Sequence, residues 1–208
     1  EPEHEEVIQQ DYLTFDYRII VGKYRKIHII GNPPFGRQGT LAKKFIKKSL
    51  EFCDTLSFIL PKSFKKQSYL KIFPLQFHLI YEYDLPKDCF VINGTTTHDV
   101  PCVFQIWEKK KYMRMISDIL VPNNYRFVSR DEEHDISFRR VGFKAGEINR
   151  NIEDKSIQSH YFIKFDIELT DELFDRLCVI EYPCKDNTIG AKSISKQELI
   201  KEFNIYTV

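Results

Sequence analysis

Much is missing from this chain of 208 residues, and each absence removes a class of function. No apolar run approaches the roughly 20 residues that a membrane-spanning helix needs, so no membrane partner is expected. No basic segment followed by an apolar core opens the sequence, so nothing marks it for secretion. The five cysteines, Cys53, Cys89, Cys102, Cys178 and Cys184, are odd in number, scattered, and form no Cys-x-x-Cys pair. That spacing argues against a zinc site or a disulfide framework, and reduced core thiols in a cytoplasmic setting are the expectation. His160 has no metal partner at a recognisable spacing, and no metal is expected. Internal repeats and low-complexity tracts are absent. The net charge of only +1 gives the chain as a whole no pull on nucleic acid.

What is present describes a globular protein. Hydrophobic residues make up 42% and charged residues 29%, which argues against disorder. Seventeen Phe and eleven Tyr supply enough aromatic bulk for a packed core. The length allows one large or two small domains. Charge is unevenly spread. Between positions 21 and 66 eleven Lys and Arg face only Glu51 and Asp54, a local surplus of eleven minus two, or +9. Such a surplus suits phosphate contact, with Arg37 and Lys62 as candidates for touching the substrate. Part of it reads equally as a solvated helix face, because Lys43, Lys44, Lys47 and Lys48 lie opposite Leu41, Phe45, Ile46 and Leu50 at helical spacing.

Periodicity predicts the order of elements. Residues 7–10 read as a short strand leading to Asp11, and residues 17–25 as a helix turn or an inserted hairpin. Residues 26–31 read as a buried strand that takes His28 into the core. Residues 40–53 form an amphipathic helix with Thr40 as its N-cap. Residues 55–60 are a second buried strand, and a helical stretch over 63–73 stops near Pro74. Strands follow at 77–83 and 100–108, with Asn93-Gly94 as a turn signal between them and His98-Asp99 in a loop. A boundary falls within 111–125, where Val121-Pro122-Asn123-Asn124 marks a loop. Beyond it come short strands at 126–130 and 136–143, punctuation at Gly142, Gly146 and Asn149 to Asn151, and a strand over 158–165. A helix capped by Thr170 follows, and the last helix has Ser195 and Glu198 at capping-box spacing. Strands alternating with helices predict an α/β layered domain with its ligand at the carboxyl ends of the strands.

One such end carries the most informative residues. Lys26-Ile27-His28-Ile29-Ile30-Gly31 runs directly into Asn32-Pro33-Pro34-Phe35-Gly36. A buried strand thus delivers a rigid turn with an amide, main-chain carbonyls and an aromatic ring. This set suits the amino group of a flat, amide-like substrate. An exocyclic adenine amine is a poor nucleophile because its lone pair is delocalised into the ring. A site helps by accepting both N–H protons and stabilising the positive charge that grows during attack. The side-chain oxygen of Asn32 can accept one proton and a prolyl carbonyl the other. Pro33 and Pro34 hold φ near about −65°, so the carbonyls are aimed in advance. Phe35 can stack on the ring.

On these residues the chain resembles the S-adenosylmethionine-dependent amino-methyltransferases, above all the N6-adenine DNA enzymes, whose catalytic motif is Asn-Pro-Pro-Phe/Tyr after a strand. Gln10-Asp11-Tyr12-Leu13 is similar to that family's Asp-Phe-Leu motif. The resemblance implies that Asp11 accepts a hydrogen bond from the adenine amine of the cofactor and that Tyr12 packs beside it. Leu56 to Phe64 resembles the family strand that ends in Pro and an aromatic. Cys89-Phe90-Val91 with Val103 to Trp107 resembles the last hairpin, which makes Phe90 the aromatic that packs on a flipped base. The likeness covers about residues 7–110 and is specific only at Asn32 to Phe35. It implies an α/β fold, a partial Rossmann-like class I methyltransferase sheet, with a smaller C-terminal α+β region. Residues 1–112 are then the catalytic domain and residues 113–208 a substrate- or target-recognition region. In the latter, Arg139, Arg140, Lys144 and Arg150 are open to phosphate contact or to simple surface solubility.

The chain also departs from that family. No Gly-rich turn of the kind that wraps the methionine part of the cofactor precedes Asp11, and the acidic stretch Glu1 to Glu6 leads straight into the motif. The expectation is therefore a fragment, a processed product, or a chain whose sheet is completed by an upstream segment or a partner chain. Three functional readings remain open. The first is methyl transfer from S-adenosyl-L-methionine to adenine N6 in DNA, as in restriction–modification systems. The second is a catalytically inactive or split methyltransferase-like subunit that binds nucleic acid or a partner. The third keeps the enzyme and changes the substrate, to adenine in RNA or to glutamine side chains in proteins, and the basic surplus argues against glutamine alone.

Overall fold

The computed structural model of the chain describes residues 4, 7–92, 96–150 and 155–208. It divides into two units, Glu1–Ile116 and Ser117–Val208. The Asn93-Gly94 turn signal and Asn151 lie outside the described residues.

The first unit is built on a four-stranded mixed sheet. Its strands are β1 (His28–Gly31), β2 (Thr55–Pro61), β3 (Phe77–Asp84) and, after the small hairpin of β4 (Phe90–Ile92) and β5 (Thr96–His98), β6 (Cys102–Lys109). The order is β1-β2-β6-β3. β1 and β2 run parallel, joined by helix α1 (Thr40–Leu50), and β6 returns antiparallel to both β2 and β3. A short second helix, α2 (Gln67–Leu70), precedes β3.

One face of this sheet is a dry core. The register sets Leu56 beside Trp107, Phe58 beside Gln105 and Leu60 beside Val103, all buried. Ala42 and Ile46 of α1 and the rings of Phe64 and Phe73 cover them. Each fully buried Leu or Ile contributes about 1.5–3 kcal/mol. The other face differs. Ser57, Ile59, Phe104 and Ile106 are only half-buried and stand outside the core cluster, and Tyr81 and Tyr83 are exposed.

Several expectations need correction here. Residues 7–9 form no strand, and a 3-10 turn at Tyr12–Thr14 follows Asp11. Of the two readings of 17–25, the helix turn holds, as a 3-10 turn at Tyr17–Ile19. Among the described residues β1 is an edge strand rather than a buried one, because only β2 pairs with it there, and His28 is exposed instead of in the core. The N-cap of α1 is Gly39, in the left-handed region at φ 70°, and Thr40 is already helical. Glycine is needed there because a Cβ at Gly39 would lie 3.1 Å from the Phe64 ring.

The second unit carries a separate antiparallel sheet. Its strands are β7 (Tyr125–Val128), β8 (Ile136–Arg139), β9 (Ile148–Asn149) and β10 (His160–Phe165), ordered β7-β10-β8-β9. Helices α3 (Asp171–Cys178) and α4 (Lys196–Phe203) complete it. Thr170 caps α3, and Ser195 with Glu198 forms a full capping box on α4. An aromatic core joins them, with Phe138 edge-on to Tyr182 at 5.5 Å and to Phe203 at 5.9 Å. The Val121 to Asn124 loop is tied to α4. Gln197 bonds Leu120 in both directions, and Asn204 accepts from the Asn123 amide and donates to the Val121 carbonyl.

His160 is buried at the start of β10, with Nδ1 3.3 Å from the Ser156 carbonyl and 3.0 Å from the Ser159 hydroxyl. Burial, helped by the positive charges of Arg139 and Lys155, holds its pKa below the ordinary 6.5. The unfolded chain therefore takes up the proton first as pH falls. The stability of this unit is expected to be level above about pH 6.5 and to decline below it. His160→Gln is expected to remove that decline, read as the thermal midpoint of the second unit against pH.

Candidate functional site

β1 ends at Gly31, and the chain turns through Asn32-Pro33-Pro34-Phe35 into α1. The Phe35 carbonyl accepts from the amides of Leu41 and Ala42 at 3.1 and 3.2 Å, so the turn is locked onto the first turn of the helix. Gly36 sits at φ 66°, and a Cβ there would meet Leu41 Cβ at 2.9 Å. Only glycine allows this approach. Pro33 is buried, while Asn32 is exposed and its side-chain amide makes no hydrogen bond among the described residues. The backbone that carries the amide is thus held, and the amide itself has no partner among the described residues. Phe35 is half-buried and packs against the core cluster.

A pocket of about 210 Å³ opens beside this turn. It is lined by Tyr12, Ile29 to Pro34, Phe45 and Phe58. Tyr12 and the Asn32 turn therefore line one cavity, although 20 positions separate them in sequence. Tyr12 is held by two contacts. Its ring stacks on Phe45 at 5.2 Å with planes 13° apart, and its hydroxyl is 2.7 Å from Ser49 Oγ. Burial raises its pKa against the lowering effect of the Ser49 bond, so the phenol stays neutral. Asp11 stands next to it, outside the pocket lining. One carboxylate oxygen caps the 3-10 turn through the Leu13 amide at 2.9 Å, and the other is without a partner among the described residues. Sequence reading missed Phe45, Ser49 and Phe58 at this site. The first two lie on the α1 face turned toward Tyr12, and helical spacing alone does not say which loop docks there.

The remaining candidates lie apart from the pocket lining. Phe90 is half-buried on β4, paired with His98. Arg37 is exposed and unpaired among the described residues. Lys62 lies 3.3 Å from Asp84, and Lys65 bridges Asp84 at 2.7 Å and Glu82 at 3.4 Å. Partial burial tends to raise the Asp84 pKa, but Lys65 and Lys62 override it and hold the carboxyl low. These lysines clamp β3 as well as facing solvent. On α1, Lys43 lies 4.5 Å over the Tyr69 ring and Lys48 lies 4.8 Å over Tyr17, whereas Lys44 and Lys47 point to solvent.

The second unit offers less to an anion. Thirteen Lys and Arg against seventeen Asp and Glu leave residues 117–208 at −4. Arg150 is paired with Asp171, Lys144 with Glu147, and Arg139 and Arg140 bond main-chain carbonyls. All five cysteines are free thiols, and burial pushes those of Cys53 and Cys102 up to about 12. Among the described residues no cluster of His, Cys, Asp and Glu can hold a metal ion, and no helix is long and apolar enough to cross a membrane. In comparisons with known proteins, no family model, curated protein or solved structure matches the chain.

Proposed function

We propose that the first unit is the catalytic half of an S-adenosylmethionine-dependent N6-adenine methyltransferase acting on DNA. The observation that carries this reading is the shared pocket. Tyr12, beside Asp11, and the free amide of Asn32 face one cavity at the carboxyl end of a parallel strand. The β1–α1–β2 crossover, with β6 returning antiparallel, is read here as part of a class I methyltransferase sheet.

The residues fit the cofactor in part. Tyr12 supplies an aromatic wall and Asp11 a carboxylate with a free oxygen, which suits the adenine ring and its amine. The volume of about 210 Å³ is below the roughly 300 Å³ at which ligand pockets begin, so these residues hold one end of the molecule. Bound there, S-adenosylmethionine supplies an electrophilic methyl group. Asn32 Oδ1 would accept a hydrogen bond from one N–H of the target amine and the Pro33 carbonyl one from the other, which steadies the charge that develops on nitrogen until its surplus proton passes to solvent. The base must leave its stack to reach the turn, because an amine inside a duplex cannot be attacked in line. The surplus of +9 over residues 21–66 favours a polyanionic substrate, and RNA is the alternative.

Titrating S-adenosylhomocysteine into the chain tests the cofactor half of this reading. At about a hundred times its dissociation constant the ligand is expected to add roughly 2.7 kcal/mol to the first unit, seen as a raised thermal midpoint. Tyr12→Ala is expected to abolish the shift. An unchanged midpoint at saturating ligand, or an equal shift in the variant, refutes it.

A further inference from the structure

We propose that the second unit binds a small aromatic monocarboxylate, in a cavity where β7 ends and β10 begins. The inference rests on residues of that unit alone and not on methyl transfer, so the two stand or fall separately.

The cavity measures about 350 Å³, within the range of small-molecule sites and larger than the one beside Asn32. Strand pairing sets its place. β7 and β10 are antiparallel with Val128 opposite Phe162, so residues 129–131, which leave β7, come level with the start of β10 at His160. Lys196, the first residue of α4, joins them in the lining.

The apolar part of the wall is aromatic. Phe127 and Tyr161 both line the cavity and meet edge to face, with ring centroids 5.5 Å apart. Phe162 adds a third ring, and Ile157 adds an aliphatic side chain that is otherwise 67% exposed. Rings and bare aliphatic surface around one hollow favour a flat apolar body.

The charged part of the wall selects a single negative charge. Lys196 Nζ lies 4.5 Å over the Phe127 ring and 5.7 Å over the Tyr161 ring, so the rings hold the ammonium at the cavity, and no carboxylate pairs with it among the described residues. Arg130 is exposed and likewise without a partner among the described residues. Its planar fork of donors matches a carboxylate. Among the described residues Asp131 is the one carboxylate in the lining. His160 is neutral at pH 7, because burial holds its pKa below 6.5. The lining therefore carries two cations minus one anion, or +1. One carboxylate balances that surplus, whereas the second charge of a phosphate monoester would face Asp131. The unit as a whole is negative, which further disfavours a polyanion.

His160 adds a polar contact from within the wall. Its side chain is buried, its Nδ1 is 3.0 Å from the Ser159 hydroxyl, and its Nε2 has no partner among the described residues. With Ser159 donating to Nδ1, Nε2 carries the proton and can donate to the ligand's carboxylate. A buried imidazole held in this way has one hydrogen bond still to make.

An NMR titration of the full chain tests this with three probes that share one ring system: naphthalene-1-acetate, naphthalene-1-acetamide and 1-naphthyl phosphate. The acetate is expected to shift the amide signals of residues 127–131 and 160–162 saturably, with a Kd below about 1 mM, and to bind about tenfold more tightly than the neutral acetamide. The phosphate is expected to bind more weakly than the acetate. Arg130→Gln changes an exposed residue without contacts, so the thermal midpoint is expected to hold while the preference for acetate over acetamide falls about fivefold or more. No saturable shift at about 5 mM acetate overturns the proposal, as do equal affinities for acetate and acetamide, tighter binding of the phosphate, or shifts confined to the first unit.

Discussion

Asn32→Ala is expected to lower methyl transfer to adenine by about 100-fold or more while leaving the first unit folded. The two halves of this expectation come from the same observation. The Asn32 side chain is exposed and makes no hydrogen bond among the described residues, so its removal breaks no contact that holds the turn. The turn is held instead by Pro33 in the core, the Phe35 carbonyl on α1 and Gly36 against Leu41. An amide with no structural duty in so rigid a frame gives up only its chemistry when truncated. Transfer of a radiolabelled methyl group to adenine-containing DNA, with the thermal midpoint measured alongside, reads both halves. Activity within about tenfold of the parent would mean that another group carries the amine, and the catalytic reading would fall.

Trp107→Ala is expected to cost the first unit about 3–5 kcal/mol, the range for emptying a large aromatic site. Trp107 is 2% exposed and stacks on Phe73 with ring centroids 3.7 Å apart and planes 7° apart. Its indole N–H donates to Gln105 Oε1 at 3.0 Å, and Gln105 in turn donates to Glu82 Oε2 at 2.8 Å. Gln105 is fully buried, so losing the indole takes a donor from its carbonyl oxygen in the core, which sets the cost toward the upper end of that range. The chain of bonds also links β6 to edge strand β3, which makes the loss cooperative. Trp107→Phe keeps most of the stack and loses the donor, and is expected to fall between the two. Denaturant midpoints of the first unit measure the series. A cost below about 1 kcal/mol for the alanine variant would mean that the site collapses without penalty.

Much of the local structure was legible from short-range signals. The strand at Thr55–Pro61, the helix begun at residue 40, the Thr170 cap and the Ser195–Glu198 capping box all follow from side chains acting within a few positions of themselves. Other features were misread because their cause is distant. His28 and Ile30 sit in an apolar run that looks buried, yet burial depends on whether a neighbouring strand is present, and β1 has one on a single side. Thr40 has the right residue type for an N-cap, but Gly39 takes that position in the left-handed region, and Thr40 is already helical. Arg139, Arg140, Lys144 and Arg150 were open to phosphate contact or to surface solubility, and the sequence did not show the partners, remote or local, that engage each of them.

The sequence by itself determined the chemistry at the turn. The order Asn-Pro-Pro-Phe-Gly dictates a stiff, amide-bearing loop, because proline restricts its own φ and Gly36 takes a positive φ of 66° that glycine adopts without strain. Only the tertiary structure decided what that loop faces. Tyr12 reaches the Asn32 cavity because Phe45 and Ser49 of α1 dock its ring and hydroxyl, and that docking depends on the packing of α1 against β1 and β2. The tertiary structure likewise decided that β1 lies at an edge. Strand pairing is a contact between distant segments, and a four-residue apolar run carries no record of how many neighbours it has.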